Sequence, residues 1–313
     1  MKSFFRGLVA APFTPFHSNG TLNLDVIPAY ARHFRRSGVG AAFICGTTGE
    51  CASLTTQERL QIAEKWMGEE DSKLRVIVHI GHTSLNDAKI LAAHAQQAGA
   101  AAVAAFAPYF FKPRNTSELV AWCSELASSA PDLPFYYYNI PSMTGVSIPV
   151  ASFLERAAGR IPSLAGVKYT HEDLVDYEAC IKFGNGRYDI LFGRDEVLLE
   201  SLSRGALGAV GSTYNYAAPL YLRLIAAYQS GDHAEARRLQ DLAISMISVC
   251  NSVGVTHLAA SKTLMTFHGV ECGPVRLPLD QPDQPQLKQL HVGLEQIGFS
   301  TNPASPGFAN CAI

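Results

Sequence analysis

Short apolar runs alternate with longer amphipathic segments along most of the chain, and this alternation repeats about eight times before residue 228. Runs such as AAFIC and AAVAAF are apolar at every position, which is typical of parallel strands buried on both faces. Each run is followed by a loop and a segment with helical periodicity, as in stacked βα units. The predicted strands cover residues 7–11, 41–45, 75–80, 101–106, 134–138, 164–168, 189–193 and 207–211.

Eight βα units are the number that closes a parallel barrel, so the predicted fold is α/β, a (β/α)8 TIM barrel. An open doubly wound sheet has a similar period, but no GxGxxG motif opens the first helix. Helical patterns over 232–250, 255–268 and 284–298 predict a C-terminal helical extension. We therefore predict a catalytic barrel over 1–228, an extension packed on it over 229–299, and a flexible tail over 300–313.

The composition is that of a compact globular protein, with 48% hydrophobic and 17% charged residues. A formal net charge of -2 provides no basic surface for nucleic acid or an anionic membrane. The longest apolar stretch, 99–111, is shorter than the roughly 20 residues of a membrane-spanning helix. We therefore expect small-molecule partners. Seven scattered cysteines without a CxxC pair predict free thiols in a reducing compartment, hence a cytoplasmic protein.

A barrel collects its active site at the C-terminal ends of its strands, which makes the polar residues at those positions informative. Lys168 ends the apolar run SLAGVK, so its stem is expected among barrel side chains. Such a lysine can snorkel to water, but a desolvated amine also has a lowered pKa and becomes nucleophilic, as Schiff-base chemistry requires. Tyr138, one strand away, offers a phenol for proton transfer, although its run FYYYN also suits core packing.

The segment GTTGE, residues 46–50, follows the second predicted strand with two hydroxyls, two glycines and consecutive backbone N–H groups. A turn of this kind can bind a carboxylate through its N–H groups. Alone, GTTGE equally fits an ordinary βα loop. Its combination with YNIPSMTG, GVK, GRDE and GSTYN, each at a strand end and in this order, is highly specific.

With these motifs, the chain resembles the N-acetylneuraminate lyase and dihydrodipicolinate synthase family of pyruvate-dependent class I aldolases over roughly residues 5–298. The resemblance implies that Lys168 forms an imine with the C2 ketone of the pyruvate portion, and that Tyr138 shuttles protons. It implies that Thr47 and Thr48 hold the pyruvate carboxylate, with the Thr48 hydroxyl in the proton relay. The resemblance also implies that the reaction needs no cofactor and that the protein is a homotetramer.

Within this family, the run LFGRDEVLLESLSRGALGAVGSTYNY and the segment GPVRLPL are similar to the sialic acid lyases, above all the vertebrate type. Met143 stands where dihydrodipicolinate synthases usually carry an arginine for an acidic second substrate, and an uncharged residue suits a neutral sugar better. The implied reaction is reversible cleavage of N-acetylneuraminate to N-acetyl-D-mannosamine and pyruvate. The implied ligands of the sugar tail are Thr170, Gly193, Asp195, Glu196 and Ser212.

Alternative functions stay open at this point. A related pyruvate-dependent enzyme, either a 2-keto-3-deoxy sugar acid aldolase or a dihydrodipicolinate synthase, fits the same motifs. A non-catalytic barrel that binds sialic acid or a keto acid is a third possibility. One departure from the family pattern is Phe110, which falls where a relay tyrosine often stands, so Tyr109 is left out of the catalytic set.

The histidines His79 and His82 have the HxxH spacing of a metal-binding pair. On a strand, however, residues three apart point to opposite faces, and no third ligand lies nearby in the sequence. We therefore expect no metal site.

Overall fold

The computed structural model describes residues 5–299, and within them eight parallel strands close into a barrel. The strands are β1 (Gly7–Ala10), β2 (Ala41–Ile44), β3 (Arg75–His79), β4 (Ala102–Phe106), β5 (Phe135–Asn139), β6 (Leu164–Tyr169), β7 (Asp189–Phe192) and β8 (Gly208–Gly211). Each strand pairs with its neighbours in chain order, and β1 pairs with β8 to close the barrel. The predicted (β/α)8 TIM barrel is confirmed, and each strand lies within one residue of its predicted bounds.

Helices follow the strands, as the periodicity predicts. They are α1 (Ile27–Arg36), α2 (Thr56–Met67), α3 (Leu85–Gln97), α4 (Thr116–Ala127), α5 (Pro141–Thr144), α6 (Val150–Ala157), α7 (Leu174–Lys182), α8 (Leu198–Ser203), α9 (Tyr214–Gln229), α10 (His233–Ser252), α11 (His257–Thr263) and α12 (Gln284–Gln296). Side chains cap several helices; Thr55, for example, forms a capping box with Glu58 at the start of α2.

The alternation of side chains along each strand decides what enters the barrel. Phe43, Tyr136 and Tyr138 pack in a cluster inside the barrel, whereas Tyr137 and Val167 belong to the layer between strands and helices. Successive residues of a strand point to opposite faces. Because Val167 faces the helices, the next residue, Lys168, points into the barrel. In the β5–β6 ladder Tyr138 pairs directly with Lys168. The register therefore brings the two residues together inside the barrel.

The C-terminal extension comprises α10, α11 and α12. The pattern over 255–268 forms two pieces, because a 3-10 helix at Leu264–His268 follows α11. The extension reaches the barrel rim through Gln240 of α10, which donates to the Asp195 carbonyl and accepts from the Leu199 N–H. The division at residue 228 stays a prediction, and the predicted tail at 300–313 lies outside the described residues.

Within residues 5–299, no single helix has the length and apolar character needed to cross a membrane. In this described part of the chain, one bent pair, α10 together with 257–268, passes that test, and its two segments are bent by 106° relative to each other.

Candidate active site

A cavity of about 630 Å³ lies at the C-terminal end of the barrel. Thr47 and Thr48 of the GTTGE turn and Ser212, which follows β8, line this cavity as the sequence predicts. Other lining residues come from the end of β4 and the loop after it, from α5, and from the extension: Phe106, Tyr109, Met143, Thr144, Thr256, His257, Leu258, Ser261, Pro278 and Leu279. The barrel and its C-terminal extension therefore share the walls of one cavity.

Lys168 is buried inside the barrel, with 5% of its surface exposed. Its Nζ lies 4.0 Å from the centre of the Tyr138 ring and 4.3 Å from that of Phe43. Burial lowers the pKa of Lys168 to about 7, although the negative charge of Asp195 acts in the opposite direction. A large fraction of this amine is therefore unprotonated, and nucleophilic, at neutral pH.

Tyr138 connects the lysine to the GTTGE turn. Its hydroxyl lies 3.2 Å from Thr47 Oγ1, within hydrogen-bond distance. Burial raises the pKa of Tyr138 far above its usual value, so the phenol keeps its proton at neutral pH. The Thr48 side chain is half-buried in the cavity wall. Lys168 therefore packs on Tyr138, Tyr138 contacts Thr47, and Thr47 and Thr48 line the cavity.

The GTTGE turn packs closely against the loop after β1. Thr14 Oγ1 donates to the Gly49 carbonyl at 2.7 Å. A β-carbon at Gly49 would lie 3.3 Å from the Pro12 carbonyl oxygen, tighter than most such contacts. A glycine therefore favours this close approach of two backbones.

Asp195 is buried at the rim between β7 and β8. Its Oδ2 accepts hydrogen bonds from the Thr213 hydroxyl at 2.6 Å and the Thr213 N–H at 3.0 Å. Burial raises the pKa of Asp195 to about 6. A β-carbon at Gly211 would lie 2.0 Å from Asp195 Oδ1, so this carboxylate packs directly on the end of β8. Thr213, which follows β8, thus holds the Asp195 carboxylate in place.

The remaining predicted sugar ligands lie around the same rim. A β-carbon at Gly193 would lie 2.0 Å from Thr170 Oγ1, which places the ends of β6 and β7 side by side. Glu196 is half-buried, and its Oε2 lies 3.4 Å from Arg194 Nε. Burial lowers the pKa of the cavity residue His257, and the nearby Glu196 charge opposes that shift. The negative charge of Glu196 therefore acts on His257, a residue of the extension that lines the cavity.

The positions at which members of the family differ, Met143 and Phe110, lie in the segments that follow β5 and β4. Met143 lines the cavity with an uncharged side chain, 63% of which is exposed. Tyr109 also lines the cavity and packs edge-on against Phe106, with the ring centres 5.7 Å apart. Phe110, in contrast, is 73% exposed. The aromatic residue nearest the cavity in this loop is thus Tyr109.

Both histidines of the HxxH segment have a ring nitrogen engaged by the backbone. His79 Nδ1 lies 2.7 Å from the Cys45 carbonyl oxygen, and His82 Nδ1 accepts from the Ser84 N–H. Across residues 5–299, no three His, Cys, Asp or Glu side chains come together in an arrangement that could hold a metal ion.

Comparison with known families assigns the chain to one of them. Residues 4–297 match the model of the Dihydrodipicolinate synthetase family. The chain belongs to this family. The resemblance predicted from the motifs at the strand ends is thereby confirmed, and the family match extends over the barrel and the C-terminal extension alike.

Several family members are similar to the chain over nearly its whole length. The N-acetylneuraminate lyase of Mus musculus is 38% identical over 307 residues, 97% of this chain and 96% of the mouse protein. That of Gallus gallus is 42% identical over 295 residues, 93% of this chain and 96% of the chicken protein. The solved structure of Proteus mirabilis N-acetylneuraminate lyase has a TM-score of 0.92 and 39% identity, covering 95% of this chain and 100% of its own.

Proposed function

We propose that this protein is an N-acetylneuraminate lyase, a class I aldolase that reversibly cleaves N-acetylneuraminate to N-acetyl-D-mannosamine and pyruvate. The observation that carries the proposal is the desolvated Lys168 amine, which packs on Tyr138 beside the cavity residue Thr47, in a chain about 40% identical to proteins of that name. The proposal assigns the catalytic roles to Lys168, Tyr138 and Thr48.

Catalysis begins at the neutral Lys168 amine, which attacks the C2 ketone of the open-chain sugar acid. The resulting carbinolamine loses its hydroxyl as water and becomes a protonated imine. Tyr138 is suited to supply and recover the protons of this step, because its buried phenol is protonated and contacts Thr47. The carboxylate of the substrate is proposed to bind at Thr47 and Thr48, where the turn offers hydroxyl and N–H donors.

Cleavage follows when the C4 hydroxyl gives its proton to the Tyr138 oxygen, which has passed its own proton to the departing carbinolamine hydroxyl, and the C3–C4 bond breaks. The electron pair of that bond moves into the imine and gives an enamine, while C4 leaves as the aldehyde of N-acetyl-D-mannosamine. Protonation at C3 and addition of water then release pyruvate and restore the amine. The protonated imine accepts the electron pair, so this scheme needs no cofactor.

The sugar tail is proposed to bind at the rim. Carboxylate and hydroxyl oxygens, together with the accessible backbone of a glycine, can form hydrogen bonds with the neighbouring hydroxyl groups of the sugar tail. Contacts this far from C2 orient C4 for deprotonation by using binding energy from a remote part of the substrate. The proposed ligands are Thr170, Gly193, Asp195, Glu196 and Ser212.

The decisive experiment is borohydride reduction of the protein in the presence of N-acetylneuraminate, followed by intact mass measurement and a peptide map. We expect a reduced pyruvate adduct on the Lys168 peptide, because the pyruvate can come only from cleavage of the sugar. The Lys168→Met variant, which keeps a long apolar stem, is expected to form no adduct.

Two other results would redirect the assignment. An adduct with added pyruvate but none with N-acetylneuraminate would keep the aldolase and assign another substrate, such as a 2-keto-3-deoxy sugar acid. No adduct with either compound would favour a non-catalytic barrel that binds a keto acid.

Full activity after exhaustive EDTA treatment is the expected result, and its loss would contradict a metal-free mechanism.

The proposal extends to assembly and location. We propose a homotetramer, supported by the exposed Phe110 and Phe111, which lie beside the cavity residue Tyr109. We also propose the cytoplasm as its location. In support, each cysteine within residues 5–299 is a buried free thiol.

A further inference from the structure

The GTTGE turn is bounded by two residues in the left-handed region of backbone conformation. Cys45, directly before the turn, has φ 54°, and Glu50, its last residue, has φ 57°. The left-handed region is unfavourable for residues with a β-carbon, and such residues persist only where the surrounding structure fixes them. The shape of the turn between them therefore depends on what holds its two ends.

The first end is held by His79 of β3. This side chain is completely buried, and its Nδ1 lies 2.7 Å from the Cys45 carbonyl oxygen. Burial lowers the pKa of His79 well below its usual value, so the ring is neutral and its single hydrogen lies on Nδ1, facing that carbonyl. Arg59 in turn donates to the backbone carbonyls of His79 and Gly81, at 2.6 and 2.8 Å.

The second end is held by the C-terminal extension. Lys262 of α11 donates to Glu50 Oε1 at 2.8 Å, and both side chains are 1% exposed. The backbone N–H of Arg276 donates to Glu50 Oε2 at 2.9 Å. Lys262 also donates to the Pro274 carbonyl at 2.6 Å. Both carboxylate oxygens of Glu50 are thus engaged by the extension, although Glu50 lies in the cavity wall.

We infer that His79 and Lys262 are positioning residues for recognition of the substrate carboxylate: from opposite ends, they hold Thr47 and Thr48 in the shape that binds it. The inference rests on the proposed function, in which this turn binds the carboxylate of pyruvate. In the sequence, His79 lies 34 residues from Cys45, and Lys262 lies 212 residues from Glu50. It follows that the C-terminal extension contributes to pyruvate affinity without touching the substrate.

The test is reductive trapping of pyruvate by borohydride, measured over a series of pyruvate concentrations. His79→Leu and Lys262→Met each remove one anchor, and each should raise the half-saturating pyruvate concentration by about tenfold or more, because misplaced binding groups cost affinity. The trapping rate at saturating pyruvate should stay within about threefold of wild type, because Lys168 is unchanged. His79→Asn places an N–H near the position of Nδ1 and should restore most of the affinity.

Tyr136→Phe is the matched control. It removes a buried hydrogen bond, from Tyr136 to Asp189 Oδ2 at 2.9 Å, at the N-terminal end of β7 and away from the turn. It should lower the melting temperature without changing the half-saturating concentration. If His79→Leu and Lys262→Met behave in the same way, the two residues serve stability alone and the inference is wrong.

A milder variant keeps the inference testable if an anchor variant does not fold. Glu50→Gln preserves the shape of the side chain but removes its charge, and it should raise the half-saturating concentration by roughly threefold or more. An unchanged concentration in a folded Glu50→Gln protein would overturn the inference. A wild-type protein that traps no pyruvate would instead reject the proposed function, so the two failures can be told apart.

Discussion

At the scale of single residues, the proposed chemistry depends on the environment of one amine. Burial lowers the pKa of Lys168 to about 7, and the Asp195 carboxylate limits that shift because a negative charge favours the ammonium form. The neutral amine is the nucleophile. Imine formation should therefore rise with pH up to about 7 and level off above it.

Asp195→Asn is expected to lower the pKa of Lys168 further, because the substitution removes the charge that stabilises the ammonium. The midpoint of the pH dependence of pyruvate trapping should move to lower pH, and the variant should trap pyruvate faster than wild type at slightly acidic pH. Asp189→Asn is the control, since Asp189 is also buried but lies at the opposite end of β7. An unchanged midpoint in Asp195→Asn would contradict this electrostatic coupling.

Glu196→Gln should separate sugar binding from imine formation. A lost hydrogen bond to a charged group predicts a rise of roughly 10- to 100-fold in the KM for N-acetylneuraminate. Trapping of pyruvate alone should be unaffected. The matched control is Glu172→Gln, because Glu172 is the other carboxylate that pairs with Arg194. Loss of both sugar cleavage and pyruvate trapping in Glu196→Gln would refute the proposed division of roles.

At the scale of elements, the site depends on how closely neighbouring strand ends approach. The end of β7 is so near β6 that a β-carbon at Gly193 would lie 2.0 Å from Thr170 Oγ1. The alternation of side chains along β5 and β6 sends Tyr138 and Lys168 into the barrel together, and their ladder pairs them. Site geometry is therefore a property of strand register.

Gly193→Ala is expected to push the Thr170 side chain away from the rim. We expect kcat/KM for N-acetylneuraminate to fall by about tenfold or more, with about 1–3 kcal/mol of lost stability from overpacking. Gly40→Ala, before β2, is the control, because a β-carbon there would meet its nearest atom at 4.0 Å. Wild-type kinetics in Gly193→Ala would show that the Thr170 position is unimportant for the sugar.

At the scale of the whole molecule, the extension and the barrel build the site together. The extension supplies His257 and Leu279 to the cavity wall and holds Glu50 through Lys262. On the outside, Phe110 and Phe111 are 73% and 87% exposed, the kind of apolar surface that subunit contacts cover. The proposed tetramer would bury them.

The double variant Phe110→Asp, Phe111→Asp should form smaller assemblies than the wild-type protein, for which we propose a tetramer, because charged groups at an apolar contact are costly to desolvate. Light scattering coupled to size-exclusion chromatography measures the difference. Val175→Asp, at an 82% exposed position on α7, is the control and should keep the wild-type mass. A wild-type monomer would refute the proposed assembly directly.

The sequence by itself determined the periodic elements and the residue types at their ends. Apolar runs and helical periods are local, so they predicted each strand of the barrel to within one residue, and the strand-end motifs identified the family. They also indicated Lys168 as the nucleophile. One helical pattern, 255–268, was less well predicted, since a 3-10 helix replaces its second half.

Only the tertiary structure decided which distant groups meet. Closure of the barrel desolvates Lys168 and lowers its pKa, brings His79 to the Cys45 carbonyl, and sets Glu50 against Lys262, 212 residues later in the chain. Such contacts depend on register and on the docking of the extension, which no local pattern encodes. Local periodicity thus specifies the elements, whereas burial and electrostatics at the site arise only when those elements pack.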